Sequence, residues 1–112
     1  GTAFKPNTDD VRDSISIKLI KKLLEKGAKV IVHDPKAIEN TQKIFGDKIE
    51  YQKSITKSLK KSNCAIIMTQ WKQYKKINNN SIKNMKNKII IDSRRLLVNK
   101  KISVDYNALG IG

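Results

Sequence analysis

Residues 14–33, SISIKLIKKLLEKGAKVIVH, change period halfway along, and that change decides the fold. Ile17, Ile20, Leu23 and Leu24 lie three and four apart, which lays one apolar stripe along a helix. Lys18, Lys21, Lys22 and Lys26 take the opposite, wet face. Asp13 or Ser14 offers a side-chain oxygen to the free N–H groups of the first turn, and Gly27 is a natural stop. AKVIVH (28–33) then reads as a strand, ended by the turn Asp34-Pro35. A helix that feeds straight into an apolar strand is the working unit of an α/β sheet.

The same alternation continues outward. A helix is expected over Ile38 to Phe45 and a short strand over Lys48 to Gln52. Ser54 caps a third helix, with Ile55 and Leu59 one turn apart. CAIIM (64–68) reads as the best buried strand, short and continuously apolar as central parallel strands are. TQWKQY (69–74) leaves it and turns toward the surface, and NNNS (78–81) caps a short helix through Met85. KIIID (88–92) is another buried strand, 96–101 a loop, and ISVDYNALGIG (102–112) a closing strand. Successive strand–helix–strand units imply right-handed crossovers and a mainly parallel sheet flanked by helices, a Rossmann-like three-layer α/β domain over residues 1–112. A parallel domain normally begins with a complete buried strand. Here a dozen loop-like residues precede the first helix, so the sequence reads as starting partway through a strand, as a fragment of something longer.

Composition sets bounds on function. The 112 residues are 38% apolar, enough for one modest core. No apolar run approaches the roughly 20 residues that span a bilayer, and the start lacks the basic-then-apolar order of a signal peptide. A lone Cys64 excludes an internal disulfide framework and points to a reducing, cytoplasmic setting. The net charge of +14 invites a nucleic-acid reading. However, 21 of the 24 basic residues are lysines spread over nearly every polar stretch, and only Arg12, Arg94 and Arg95 are arginines. Lysine is a hydrated point charge, whereas arginine is the planar fork suited to phosphates and base edges. Without a basic stripe interleaved with aromatics, the charge reads as a solvated surface.

Ligands of such sheets bind beyond the carboxyl ends of the strands. Those ends carry Phe4-Lys5-Pro6, Asp34-Pro35, Thr69-Gln70-Trp71 and Asp92-Ser93-Arg94-Arg95. Lys5 and Arg94, with the first helix's N-terminus nearby, would suit a pyrophosphate. An Asp92–Arg94 structural ion pair accounts for the same residues equally well. The sequence holds no GxGxxG, no phosphate-binding P-loop and no metal-ligand cluster. His33 at a strand end reads as structural, Cys64 as a buried and inert thiol, and Trp71 with Tyr74 as a packing anchor. Taken alone, the residues describe a binding domain without catalytic machinery.

GTAFKPNTDDVRDS (1–14) resembles the motif that opens the C-terminal domain of the UDP-glucose/GDP-mannose dehydrogenase family, roughly G-L-A-F-K-P-N-T-D-D-x-R-E-S. The likeness continues through IKLIKKLLEKGAKVIVHDPKA (17–37) and returns at NCAIIMTQWKQY (63–74), IIIDSRRLL (89–97) and YNALGIG (106–112). Thr2 stands for a larger apolar residue, Gln70 for an acid, and Ser93 for the glycine of D-G-R. The resemblance implies an NAD-dependent oxidation of a nucleotide sugar's C6 alcohol to a carboxylate. It implies that NAD sits mainly on a separate N-terminal domain, that a linker joins the two, and that the full-length protein is a homo-oligomer. It implies that Phe4, Lys5 and Arg94 bind the UDP-sugar and that Arg12 reaches toward the NAD. No catalytic residue falls in this chain, and Cys64 does not match the family's catalytic cysteine. F-K-P-N-T-D-D is nearer to the UDP-glucose enzymes than to the UDP-N-acetylmannosamine group, where Y-K-G is usual. A UDP-N-acetylmannosamine or GDP-mannose enzyme, or a non-catalytic nucleotide-binding module, are the alternatives.

Overall fold

The computed structural model describes residues 1–108. Helix α1 (Ile15–Glu25) begins where Ser14 Oγ accepts the N–H of Ser16 at 3.2 Å, so Ser14 rather than Asp13 is the cap. Ile17 and Ile20 are buried, while Leu23 and Leu24 are half-buried. The helix closes at a left-handed Gly27 (φ +82), with Gly27 N–H on Leu24 O and Ala28 N–H on Leu23 O. That pairing satisfies carbonyls that the last turn would otherwise leave free.

Strand β1 (Ile31–Val32) follows, then α2 (Ile38–Phe45), a 3-10 turn (Gly46–Lys48) and β2 (Glu50–Tyr51). β2 lies parallel to β1, with Ile31 opposite Glu50 and Val32 opposite Tyr51. Helix α3 (Ile55–Leu59) is capped by Ser54, as its sequence demanded. Strand β3 (Ala65–Ile67) leads into a 3-10 turn (Lys72–Lys76), and helix α4 (Asn79–Ile82) starts from a reciprocal Asn78–Ser81 capping box. Strands β4 (Ile89–Asp92) and β5 (Asp105–Ala108) complete the described chain. β3, β4 and β5 form one parallel sheet in that order.

Every strand pair is parallel, but the single expected sheet is two sheets. β1 and β2 make one and β3-β4-β5 the other. Between the facing edges of β1 and β3 lies a cavity of about 640 Å³, which explains why both strands are shorter and less buried than their apolar sequences suggested. Two further details differ from expectation. The stretch 69–74 turns inward, because Thr69, Trp71 and Tyr74 are all buried. α4 stops at Ile82, short of Met85, although Met85 is itself buried. The last four residues of the expected closing strand, 109–112, lie outside the described residues.

The core gathers Ile17 and Ile20 of α1, Phe45 of α2, Ile67 of β3, Ile82 of α4 and Ile90 of β4, with Trp71 and Leu97 from loops. Ile90 is fully enclosed, on the middle strand of its sheet. Truncating it opens a void that neighbouring strands cannot close. Ile90→Ala is therefore expected to lower stability by about 2–5 kcal/mol in urea unfolding. Ile15→Ala, at a position 63% exposed on α1, is expected to change it by less than about 0.5 kcal/mol.

Candidate functional site

At the carboxyl end of β1, the chain turns on one buried carboxylate. Asp34 Oδ2 accepts the backbone N–H groups of Thr2 (2.9 Å) and Ala3 (3.0 Å) and the indole N–H of Trp71 (3.1 Å). Its Oδ1 accepts the N–H groups of Lys36 (2.9 Å) and Ala37 (2.8 Å), in the turn just ahead of α2. Burial alone would push this carboxyl's pKa up. The backbone N–H groups of Ala3, Lys36, Ala37 and Thr2 outweigh it and hold the pKa below the usual range. Three separate stretches of chain are thus tied at the end of one strand.

The N-terminal stretch is further fixed from three sides. Ser14 Oγ donates to Thr2 O (2.7 Å), Thr41 Oγ1 to Thr2 Oγ1 (2.8 Å), and Thr69 Oγ1 to Ala3 O (2.7 Å). The hydroxyl pairing with Thr41 accounts for a threonine at position 2, where an apolar residue was the norm of the resembled motif. Beyond Ala3 the chain leaves the core. Phe4 N–H donates to Asp10 O (3.0 Å), closing a loop held to α2 by Asn40 Nδ2 on Asp9 O (2.8 Å). On this loop Phe4 and Lys5 are exposed, with Lys5 Nζ 5.3 Å from the centre of the Phe4 ring. The rigid base and exposed tip are the usual arrangement of a binding loop.

A second carboxylate organises the end of β4. Asp92, wholly buried, accepts from Arg94 N–H (3.1 Å) on Oδ1 and from Leu97 N–H (2.8 Å) and Tyr106 hydroxyl (2.8 Å) on Oδ2. Burial, together with this bond, pushes the Tyr106 hydroxyl up to about 12. The competing reading of an Asp92–Arg94 ion pair is not what forms: Asp92 takes Arg94's backbone, and the guanidinium Nε donates to Met68 O at 2.9 Å. Ser93 Oγ donates to Ile67 O (2.6 Å), a use for the side chain that replaces glycine there. Arg95 adopts a left-handed conformation (φ +56) as the chain turns back.

Met68 and Thr69 are consecutive residues just beyond β3. Met68 holds Arg94 and Thr69 holds Ala3, so the Phe4-Lys5 loop and Arg94 hang from adjoining points on one edge of the domain. The edge presents an exposed ring and two exposed cations, which suits an anionic ligand that also carries a flat or hydroxyl-rich part. Arg12 stands apart from this pair. Its guanidinium forks onto Asp10 (Nε 3.0 Å and Nη2 2.8 Å), its side chain is 86% exposed, and it holds the Asp10 carboxyl down at about 2.

His33 has the structural part read from its position: Nδ1 and the Tyr74 hydroxyl lie 3.0 Å apart, and that hydroxyl bonds His33 O. Burial lowers the His33 pKa. Trp71 and Tyr74 are packing anchors, as expected. Cys64 is a correction: it is exposed, since it precedes β3 at the open cavity rather than lying within a closed sheet, while partial burial raises its thiol pKa. Among the described residues, no three His, Cys, Asp or Glu side chains come together as metal ligands. Sequence reading placed Asp34 and Thr69 at strand ends near the expected ligand, without the part each plays in holding backbone. An acid directly after an apolar strand and before proline was the available signal for the first.

A protein-family model described as "UDP-glucose/GDP-mannose dehydrogenase family, UDP binding domain" matches residues 1–99. UDP-glucose 6-dehydrogenase AglM of Haloferax volcanii is 38% identical over 109 residues, covering 97% of this chain and 25% of that protein. UDP-glucose 6-dehydrogenase TuaD of Bacillus subtilis is 35% identical over 97 residues, 86% of this chain and 21% of that protein. Among solved structures, a UDP-glucose dehydrogenase from the hyperthermophilic archaeon Pyrobaculum islandicum aligns with a TM-score of 0.81 at 36% identity, covering 96% of this chain and 23% of that one. The chain spans about a quarter of the length of these relatives.

Asp34→Asn replaces an acceptor oxygen with an NH₂ group facing N–H donors. It is expected to cost about 1–3 kcal/mol in denaturant unfolding near neutral pH. Because the folded carboxyl titrates below its unfolded value of about 3.9, its contribution is complete above that pH and lost as pH falls through the folded pKa. Acid titration of stability is therefore expected to be flatter in Asp34→Asn than in the parent below about pH 4.

Proposed function

Because the chain belongs to the UDP-glucose/GDP-mannose dehydrogenase family, where it matches the UDP binding domain, we propose that it holds the nucleotide end of UDP-glucose within a longer NAD-dependent 6-dehydrogenase. The observation that carries this reading is the shared anchorage of the Phe4-Lys5 loop and Arg94 on Met68–Thr69. Lys5 supplies a mobile ammonium for a sugar hydroxyl or phosphate oxygen, and Arg94 a planar fork whose Nε is already engaged, leaving its terminal nitrogens for the ligand. Phe4 offers its exposed ring to the sugar nucleotide. Arg95, left-handed and next to Arg94, keeps a structural part.

The proposed reaction converts the C6 alcohol to a carboxylate in two successive hydride transfers. NAD accepts those hydrides when bound, on an N-terminal domain of the same enzyme. The residues present here fit one contact to it, Arg12, because that guanidinium stands on an exposed loop and is oriented by Asp10. Everything else this chain contributes is grip and orientation. A substrate held at its nucleotide end presents its sugar to the other domain, and binding energy made away from the reacting carbon lowers the barrier by positioning it. The isolated chain is expected to be inactive as a dehydrogenase. On this reading the full-length enzyme acts in the cytoplasm as a homo-oligomer, and the lone Cys64 is in keeping with a reducing compartment.

Calorimetric titration of the full-length protein with UDP-glucose, UDP-N-acetylmannosamine and GDP-mannose tests the reading. UDP-glucose is expected to bind most tightly. Lys5→Ala and Arg94→Ala are each expected to weaken it at least tenfold, about 1.4 kcal/mol, with unfolding midpoints unchanged. Failure of all three nucleotide sugars to bind would overturn the proposal, and equal binding by the two variants would remove these residues from it.

A further inference from the structure

We propose that Tyr106, on β5, is a positioning residue for the nucleotide site: through Asp92 it holds the turn 92–97 in the shape that presents Arg94. The inference rests on the reading of Arg94 as a contact to the UDP-sugar and extends it to a residue on another strand.

Register brings the two side chains together. Tyr106 lies opposite Ile90 on β4, and Asp92 is two positions further along that strand. Side chains two apart on a strand share a face, so Tyr106 stands beside Ile90 and Asp92 on one side of the sheet. Ile90 and Asp92 are wholly enclosed, and the Tyr106 ring is half-buried. Its hydroxyl donates to Asp92 Oδ2 at 2.8 Å. A phenylalanine would fill the same ring space and leave that oxygen, among the described residues, with Leu97 N–H alone.

The turn wraps around this carboxylate. Arg94 N–H bonds Oδ1 (3.1 Å) and Leu97 N–H bonds Oδ2 (2.8 Å), so the plane of the carboxylate sets where the two backbone groups lie. Leu97 is anchored by its own burial. Arg95, between them, is left-handed (φ +56), a conformation that a non-glycine residue keeps only where its surroundings enforce it. A carboxylate with one donor on each oxygen is free to swing about χ2, whose torsional preference is broad. The third donor, Tyr106, removes that freedom. Burial and the bond to Asp92 push its hydroxyl up to about 12, so the donor stays in place well above neutral pH.

What the turn delivers is a side chain with a fixed stem. Ser93 N–H and Oγ both bond Ile67 O (3.1 and 2.6 Å), and Arg94 Nε bonds Met68 O (2.9 Å). These ties reach the end of β3 from where Asp92 holds the Arg94 backbone. A guanidinium aimed in advance gives up less freedom when a phosphate or hydroxyl arrives, which raises affinity without adding a contact.

A double-mutant cycle, read by calorimetric titration of the full-length protein with UDP-glucose, tests the assignment. Tyr106→Phe is expected to weaken binding about fivefold. In Arg94→Ala the same substitution is expected to change binding by less than about twofold, because the group it positions is gone. In Lys5→Ala, whose loop hangs from Asp34 and Thr69, it is expected to keep its full effect. An effect that persists in Arg94→Ala, disappears in Lys5→Ala or is absent from the parent overturns the proposal. Should Tyr106→Phe fail to fold, a polyfluorinated tyrosine at position 106 keeps the ring and hydroxyl but ionises at lower pH, beside Asp92 and Arg95. Its affinity for UDP-glucose is expected to fall at a lower pH than the parent's, and superimposable pH profiles overturn the proposal. If Arg94→Ala binds as the parent does, the part given to Arg94 falls and this inference with it. If Arg94→Ala weakens binding and Tyr106→Phe does not, only the part given to Tyr106 falls.

Discussion

Five N–H groups converge on the Asp34 carboxylate, and no cation lies among its hydrogen-bond partners. A buried anion solvated wholly by amide and indole dipoles gains its stability from geometry, because each donor must arrive from a different piece of chain. Two come from the N-terminal stretch, two from the turn just ahead of α2, and one from Trp71 beyond β3. The loop that carries Phe4 and Lys5 springs from this knot, so its position is inherited from a residue that itself stays away from the surface. Removing one oxygen would leave several buried donors without partners, and three separate stretches of chain would lose their common tie.

Asp92 repeats the device at β4 with three donors, and Met68–Thr69 joins the two knots. The result separates labour by depth. Carboxylates and hydroxyls inside the edge hold backbone, while Lys5, Arg12 and Arg94 outside it stay exposed. If these long, flexible cations meet a ligand as proposed, such a base would help, because ordering the loops beforehand reduces the entropy lost when a ligand arrives. The lysines elsewhere are scattered over nearly every polar stretch, whereas the Phe4-Lys5 loop and Arg94 hang from adjoining points. That contrast, more than the net charge, is what singles out this edge.

The helices were legible in the sequence to within a few residues. α2 lies where its apolar spacing put it, and Ser14, Ser54 and Asn78 cap as their side chains allow, because caps and stripes depend on neighbours three or four positions away. The strands were legible in order and sense but not in extent. AKVIVH and CAIIM read as longer and more buried than β1 and β3 are, since a strand's limits depend on what pairs beside it. The inward turn of Trp71 was missed for a related reason: its indole is drawn in by Asp34, 37 positions earlier.

The sequence by itself determined the α/β class, the parallel sense of the strands, the family motif of residues 1–14, and Phe4, Lys5, Arg12 and Arg94 as residues to watch, all from local spacing or short motifs. Only the tertiary structure decided that Asp34 and Asp92 serve backbone rather than cations, that Arg94 turns to Met68, and that a groove separates β1 from β3. Those outcomes turn on which groups meet across tens of residues. A carboxylate's partners, unlike a helix's period, are set by whatever the fold brings within hydrogen-bonding reach.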